Sequence, residues 1–441
     1  MKTLSRAALA AILIASTSSV AIVAPAYAKK KEEAKAPGLQ LSKEAREFAI
    51  KIDEAARARE AAPAEGKAQA DAAYAAAVEA NLPGLEGVAK NDDERYLAQA
   101  YRLQYEVIKM GSGGNDNAMA APLDALLANP KTPKEAIGRY AFTRGNIAFN
   151  AKQYPVALSN YARAKEAGFT NPDLPLLMAK AKVLGGDPVG GIADIETAVT
   201  ADRAAGKPVA EDLYTYAITA LQKTNDNAAV QRWTRNWLHA YGTPKNWRTA
   251  IYVFGFQGAG AKRIDKKQRV DLFRLMRATN GLAGQDDYLE YAELTFSIGL
   301  GSETIAVLDE GKKNGKIPAS SATATQFRAD AVKQIATEGS LAAQETKANA
   351  AKTGTVAADT GDFCLGSGNY AKAIEMYRLA LTKGSVDADE VNTHLGIALT
   401  ATGDKPGAKE AFALVKNPPR NEIATLWTTW IDAPAAGAPA A

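Results

Sequence analysis

Histidine and cysteine, the residues that most often hold metals or act as nucleophiles, are scarce in this sequence. Its 441 residues include two histidines, His239 and His394, and one cysteine, Cys364. The histidines are more than a hundred positions apart, so no His-x-x-x-His motif or cysteine pair exists to hold zinc in its usual ligand sets. A Ser-His-Asp triad would need one of them, yet neither lies near a Gly-x-Ser-x-Gly turn. We expect both histidines to be surface or packing residues.

Two runs of acidic residues are the next candidates for chemistry. Asp92-Asp93-Glu94 and Asp286-Asp287 each stand at the start of a predicted helix. Carboxylates there accept hydrogen bonds from free backbone N–H groups and favour the positive end of the helix dipole. A calcium loop needs alternating oxygen ligands and a glycine, which neither run has. We therefore predict helix caps, and no metal.

A glycine-rich stretch at 255–263 has some features of a phosphate-binding loop. In such a loop the lysine directly follows a glycine and precedes a serine or threonine. Here Ala261 precedes Lys262, Arg263 follows it, and no predicted strand leads into the stretch. We predict a flexible turn between two helices, and no cofactor.

Helices must position whatever site the chain has. Alanine-rich amphipathic runs, broken by short turns of Gly, Pro, Asn and Asp, fill most of the sequence. Alanine is the strongest helix former, and alternation with a period of two residues is hard to find. The sequence therefore predicts an all-α fold. Its first helices are expected at about 44–60, 67–80, 92–110 and 118–128, with Pro83 and Pro130 ending two of them.

A spacing of small and large residues recurs along these predicted helices. Two segments show it most clearly: Gly145, Tyr154, Ala157, Tyr161 and Ala164, and then Gly361, Tyr370, Ala373, Tyr377 and Ala380. Ala179, Ala217 and Gly396 start similar series. A small residue lets two helices approach, and the aromatic ring fills the space between successive hairpins.

This spacing resembles the tetratricopeptide repeat (TPR), a helix-turn-helix unit of ~34 residues. The resemblance is clearest over 138–172, 173–240 and 354–418. It implies a right-handed superhelical solenoid of stacked hairpins over 44–432, and we favour one continuous superhelix over two separate domains. The segment 244–283 departs most from the pattern, as an irregular hairpin or a seam between solenoid halves.

The resemblance also implies a binding surface, because the first helix of each tetratricopeptide repeat lines the concave face. Matching the frame places six residues there: Phe142, Asn146, Asn150, Lys180, Tyr214 and Ile218. Phe142 stands where repeats that grip a terminal carboxylate carry a lysine. We therefore expect an extended or helical protein segment with an apolar anchor as the partner. The alternative for Asn146 is that it only solvates the groove.

The aromatic residues allow two interpretations. Trp233 falls on the packing position of its repeat, so we expect it in the core. Trp247 and Phe256 are open to burial or to exposure as partner anchors. Trp427 and Trp430 are three positions apart on the last predicted helix, which suits a cap that seals the final repeat.

The start of the chain has the three parts of a secretory signal peptide. Lys2 and Arg6 come first, an apolar run follows over 7–23, and Ala26-Tyr27-Ala28 ends it. We expect cleavage after Ala28, with an uncleaved anchor as the alternative. The protein is then expected in the periplasm or outside the cell, without a membrane span.

The composition of the chain argues against further classes of partner and of covalent crosslink. Without residues 1–28 the chain has 51 basic and 49 acidic residues, a balance that argues against a nucleic-acid partner. A single cysteine cannot form an intramolecular disulfide, and we expect Cys364 to be a buried thiol. Residues 29–43 are predicted to be a flexible tether and 433–441 a disordered Ala/Pro tail.

Together these observations predict a non-enzymatic exported protein that binds a protein or peptide as a scaffold or adaptor in the cell envelope. One alternative is a cell-wall carbohydrate-binding protein or helical-solenoid enzyme, in which Trp247 and Phe254 stack on sugars. Sugar hydrolysis would need two carboxyl groups ~5–9.5 Å apart across a cleft. Another alternative is a self-associating structural scaffold.

Overall fold

The computed structural model of the protein describes residues 39–111, 114–224 and 226–433. These residues form 22 α-helices and two short 3-10 helices, and no strand occurs among them. The prediction of an all-α fold is therefore confirmed. The predicted signal peptide, the tether up to residue 38 and the tail from residue 434 lie outside the described residues. None of the described helices is long and apolar enough to cross a membrane.

The helices form two compact units, which divide after Val209. The first unit contains eight α-helices among its described residues. They are α1 (Lys43–Ala61), α2 (Lys67–Val88), α3 (Asp92–Gly111), α4 (Ala120–Ala128), α5 (Lys134–Asn150), α6 (Tyr154–Glu166), α7 (Leu174–Leu184) and α8 (Pro188–Ala204). The helices pack mainly against their neighbours in sequence, with α1 against α2, α5 against α6 and α7 against α8.

Acidic residues begin α3 as the sequence predicted. Asp92, Asp93 and Glu94 lie in its first turn. The carboxylate of Glu94 accepts hydrogen bonds from the backbone N–H groups of Ser42 and Lys90, at 2.7 Å each. Burial would raise the pKa of Glu94, but these hydrogen bonds outweigh it and lower the pKa to about 2. The acidic run therefore both caps α3 and ties it to the start of α1.

Pro83 does not end a helix, and this prediction is wrong. It lies inside α2, which continues to Val88. Leu82 and Leu85, on either side of it, are 1% and 0% exposed. Because these leucines need the helical register to reach the core, tertiary packing outweighs the hydrogen bond that proline removes.

Small residues face aromatic rings within the hairpins, at the predicted positions. A Cβ atom placed on Gly145 would lie 2.6 Å from the ring of Tyr161, and one on Gly361 would lie 2.5 Å from the ring of Tyr377. Both tyrosines are fully buried. Glycine is therefore needed for the close approach of the two helices. The predicted pairing of small residues with aromatic rings inside helical hairpins is therefore confirmed.

The second unit contains fourteen α-helices among its described residues. They are α9 (Glu211–Gln222), α10 (Asn227–Tyr241), α11 (Pro244–Gly255), α12 (Gly258–Arg263), α13 (Lys266–Ala278), α14 (Gln285–Ser297), α15 (Gly301–Lys313), α16 (Ala322–Glu338), α17 (Leu341–Ala350), α18 (Thr355–Gly366), α19 (Tyr370–Lys383), α20 (Ala388–Ala401), α21 (Lys405–Ala413) and α22 (Arg420–Asp432). The predicted turn at 255–263 is wrong in part, since 258–263 is a short helix.

The last helix of the second unit packs against helices from its beginning. Besides its neighbours α20 and α21, α22 contacts α10 and α13. Arg263 pairs with Glu422 at 2.9 Å, across 159 positions of sequence. The second unit is thus closed on itself by its final helix, and its inward-facing side chains lie among helices that are distant in sequence.

Candidate functional site

Three of the six predicted partner-binding residues lie in the interior of their hairpins. Phe142, Asn146 and Tyr214 are 2%, 2% and 1% exposed. The Phe142 ring packs against those of Tyr161 and Phe169, with centroids 6.0 and 5.0 Å away. The hydroxyl of Tyr161 donates a hydrogen bond of 2.9 Å to the amide oxygen of Asn146. Their role as partner contacts stays a prediction, and their burial gives it no support.

The other three predicted residues are more accessible and are not brought to one place. Asn150 is exposed at the end of α5, and Lys180 is half-buried on α7. Ile218 is half-buried on α9 in the second unit, where it lines a large groove. Of the six, Ile218 alone lines either of the two cavities described for this protein.

The aromatic residues are mostly core. Trp233 is 2% exposed, as expected, and Trp247 is also 2% exposed. Trp247 therefore cannot serve as an exposed anchor or stack on a sugar, which removes one support for the carbohydrate alternative. Trp427 is buried and packs edge-on against Trp430, with centroids 5.7 Å apart. Phe254, by contrast, lines the same groove as Ile218.

This groove, called here the α9–α22 groove, lies between α9, α10, α11 and α22. Its volume is about 690 Å³, within the ~300–1,000 Å³ of typical ligand pockets. Its apolar lining includes Ile218, Val230, Val253, Phe254 and Leu426. Val253 is 39% exposed. Threonine and glutamine side chains from the same helices supply hydrogen-bonding groups between the apolar ones.

Three charged side chains also line the α9–α22 groove. Arg263 and Glu422 form a two-pronged ion pair, with N···O distances of 3.3 and 2.9 Å. Arg235 is half-buried and, among the described residues, has no carboxylate within ion-pair distance. A half-buried guanidinium without a partner favours an anionic group on whatever binds beside it.

A second feature of this unit is a buried ion network that joins its helices. Asp271 on α13 is fully buried and lies 2.9 Å from Arg274 and 2.7 Å from Arg420. Arg274 also forms a two-pronged pair with Glu303, at 2.9 and 2.6 Å. Burial would raise the pKa of Asp271, but His394 and the two arginines outweigh it and hold that pKa well below its usual range.

His394 belongs to this buried ion network. It is 4% exposed, with Nδ1 2.6 Å from Asp362 and Nε2 3.1 Å from Asp271. Burial alone would lower its pKa, but the two carboxylates outweigh burial and raise the pKa to about 9. It is therefore protonated at neutral pH. His394 is thus a packing residue, one of the two roles predicted for it, and its positive charge was not predicted. His239, in contrast, is exposed.

Three groups of the network are close enough together to hold a cation. Ligand atoms of Asp362, Glu390 and His394 lie within 4.8 Å of one another. However, Glu390 already pairs with Lys267 at 2.8 Å and with Arg420 at 3.0 Å. A metal ion would compete with both of these cations and with the protonated His394, so the carboxylates are satisfied without one.

The network forms the floor of a smaller cavity, called here the inner cavity. Its volume is about 330 Å³, and α13, the turn before α15, α17, α18 and α20 line it. Arg274, Glu303, Asp362 and His394 face it from the floor. Its walls are mixed, with aliphatic side chains, the Phe363 ring and further charged groups.

The ion network was not predicted from the sequence. Its members are single charged residues on separate helices, and the Arg420–Asp271 pair spans 149 positions. One signal was available in the segment 270–276, where Asp271 and Arg274 interrupt an otherwise apolar run. A charged pair spaced i, i+3 on an apolar helix face indicates a buried partner elsewhere.

No protein-family model matches this sequence, and no curated protein matches it. Among solved structures, one that is similar is the crystal structure of the APC/C hetero-tetramer Cut9-Hcn1. It is 12% identical, the match covers 87% of this chain and 88% of that chain, and the TM-score is 0.17. A TM-score this low supports no inference about the present chain. The all-α fold and its helical hairpins are described from the packing of this chain itself.

Proposed function

We propose that this protein is a binding module that holds a protein segment in the α9–α22 groove. One observation carries the proposal: the groove combines partly exposed apolar side chains, hydrogen-bonding threonines and glutamines, and an unpaired arginine. An apolar anchor beside hydrogen-bonding groups suits a peptide, because the backbone needs partners wherever its side chains are buried.

The charge of the groove refines the expected partner. Since Arg263 and Glu422 satisfy each other, the positive charge that remains is Arg235. We expect a segment with a large apolar residue near Val253 and Phe254 and a carboxylate that reaches Arg235. A charge-assisted hydrogen bond of this kind contributes ~1.5–3 kcal/mol to binding. A partner with a positive charge at this position would be repelled by Arg235.

The proposal also assigns binding, not catalysis, to the protein, and places it in the cell envelope. The envelope location is supported by the basic start, the apolar run and Ala26-Tyr27-Ala28. Intact-mass measurement of the protein from separated cell fractions tests it. A mass lacking residues 1–28 in the envelope fraction is expected. A full-length mass in the cytoplasm would contradict the location and leave the groove proposal standing.

Site-specific photocrosslinking tests the groove in intact cells. A photoreactive phenylalanine analogue replaces Val253 in the groove. The matched control is Val332 on α16, which is 47% exposed and does not line the groove. We expect a discrete adduct from position 253 that position 332 does not give.

Two further variants separate the possible outcomes. Ile218→Glu replaces an apolar lining residue with a negative charge, which repels the expected carboxylate, and Arg235→Gln removes the unpaired positive charge. Each should reduce the adduct formed from position 253. Identical adducts from 253 and 332, or none from 253, would overturn the groove proposal. An adduct of twice the mass of the chain would favour the self-associating scaffold.

A further inference from the structure

The charges around the inner cavity are balanced except for two. Within the floor, Arg274 pairs with Glu303, and the protonated His394 pairs with Asp362. Lys267 at the rim pairs with Glu390. Among the described residues that line the cavity, the charged side chains without an ion pair are Asp359 and Lys347.

These two residues are exposed to solvent and line the inner cavity from different helices. Asp359 lies on α18, one turn after Val356 and one turn before Phe363, and all three line the cavity. Lys347 lies on α17, one turn after Gln344, on the wall formed by that helix. The carboxylate and the ammonium group are farther apart than the 4 Å of an ion pair, although they share one cavity.

We propose that the inner cavity binds a small zwitterionic molecule, of the size of a free amino acid or a dipeptide. The ligand's ammonium group is placed at Asp359 and its carboxylate at Lys347, so each unpaired charge gains a partner of opposite sign. Its apolar part is placed against Val270, Val356 and the Phe363 ring. This site is separate from the α9–α22 groove, and its function does not depend on the proposal made for that groove.

Size and charge both favour this ligand class. A cavity of about 330 Å³ is at the lower end of the range for small-molecule sites, and it is too small for a folded partner. A simple anion would pair with Lys347 and be repelled by Asp359, and a simple cation would have the reverse difficulty. A net-neutral molecule with separated charges satisfies both groups at once.

Ligand-observed NMR with the full-length chain tests the proposal. The probes are the twenty proteinogenic amino acids and alanyl-alanine, followed by N-acetylated and C-amidated forms of any that bind. We expect at least one zwitterion to bind, and either capping group to weaken binding about tenfold or more, since each removes one charged contact.

Three variants complete the test. Asp359→Asn and Lys347→Gln should each weaken binding about tenfold or more. Lys352→Gln changes an exposed lysine that does not line the cavity, and it should have no effect. No binding by any probe at about 10 mM, or binding that neither cavity variant weakens, would overturn the proposal. Circular dichroism on each variant confirms that the helices remain folded.

Discussion

The guanidinium group of Arg420 lies 2.7 Å from the carboxylate of Asp271, although 149 positions separate the two residues in sequence. Both are buried, at 5% and 0% exposure. Arg420 is the first residue of the final helix, and Asp271 lies in the middle of α13. This pair therefore joins the last described helix of the second unit to a helix in its first half.

Removing Arg420 is expected to destabilise the second unit strongly. Arg420→Met leaves the buried Asp271 with fewer compensating charges, and breaking a buried pair in this way costs ~3–5 kcal/mol. All five tryptophans of the chain lie in the second unit, so urea unfolding followed by tryptophan fluorescence reports on that unit alone.

The matched control for Arg420 is Arg263. Its side chain is 40% exposed where it pairs with Glu422, and Arg263→Met should change the unfolding free energy by less than ~1 kcal/mol. Equal losses from the two variants would contradict a special role for the buried pair.

His394 should make the stability of the second unit depend on alkaline pH. Its folded-state pKa, about 9, lies above its ordinary value of 6.5, so the folded state favours the protonated form. The stabilisation is fully present below about pH 6.5 and is lost as pH rises through about 9, with a total of roughly 3 kcal/mol. Urea unfolding between pH 6 and 10 measures it.

His394→Gln provides the comparison for this pH dependence. The variant should be less stable than the original chain at pH 6 and should show a much flatter dependence between pH 7 and 9.5. A slope that persists unchanged in the variant would assign the dependence to another group.

Gly145 should not tolerate a side chain. In Gly145→Ala the new methyl group meets the ring of Tyr161, and overpacking of this kind costs ~1–3 kcal/mol. Gly87→Ala in α2 is the control, because no atom lies within 4 Å of the added Cβ. It should stabilise by ~0.5–1 kcal/mol. Urea unfolding followed by circular dichroism shows whether each variant is less or more stable than the original chain.

Phe142 and Asn146 are expected to contribute to stability and not to partner selection. Phe142→Ala removes a buried ring and should cost ~3–5 kcal/mol. Tyr161→Phe removes the hydroxyl that donates to Asn146 and should cost ~1–3 kcal/mol. Where these variants remain folded, the adduct formed from position 253 should be unchanged. Selective loss of that adduct would support the original placement of Phe142 and Asn146 on the binding face.

The sequence predicted the hairpins because their decisive contacts are local. Gly145 meets Tyr161 sixteen positions later, and Gly361 meets Tyr377 at the same separation. The binding face was harder to predict. The repeat spacing predicts which face of a helix a side chain lies on, but not which other residues cover that face. Phe169, in the turn after α6, covers Phe142. That contact depends on the path of the chain after the hairpin.

The two cavities were beyond prediction for a related reason. The α9–α22 groove exists because the final helix returns to α10, and the inner cavity has walls from five separate segments. Ile218 and Phe254 were noticed as apolar residues of possible function, but nothing near them in sequence indicates that Leu426 lies across from them. Charged residues such as Asp271 are expected at the surface by default, so their burial was missed.

The return of α22 also bears on how this part of the chain folds. An open array of repeats can form from neighbouring contacts and can lose its last repeat without losing the others. The second unit differs, because Asp271 and Arg263 find their partners 149 and 159 positions later. Contacts between residues this far apart in sequence slow folding and form late in it. This unit therefore cannot close until the chain through α22 is available. A chain truncated before Arg420 would leave Asp271 without that partner and would expose the apolar surface that α22 covers, which chaperones and proteases recognise.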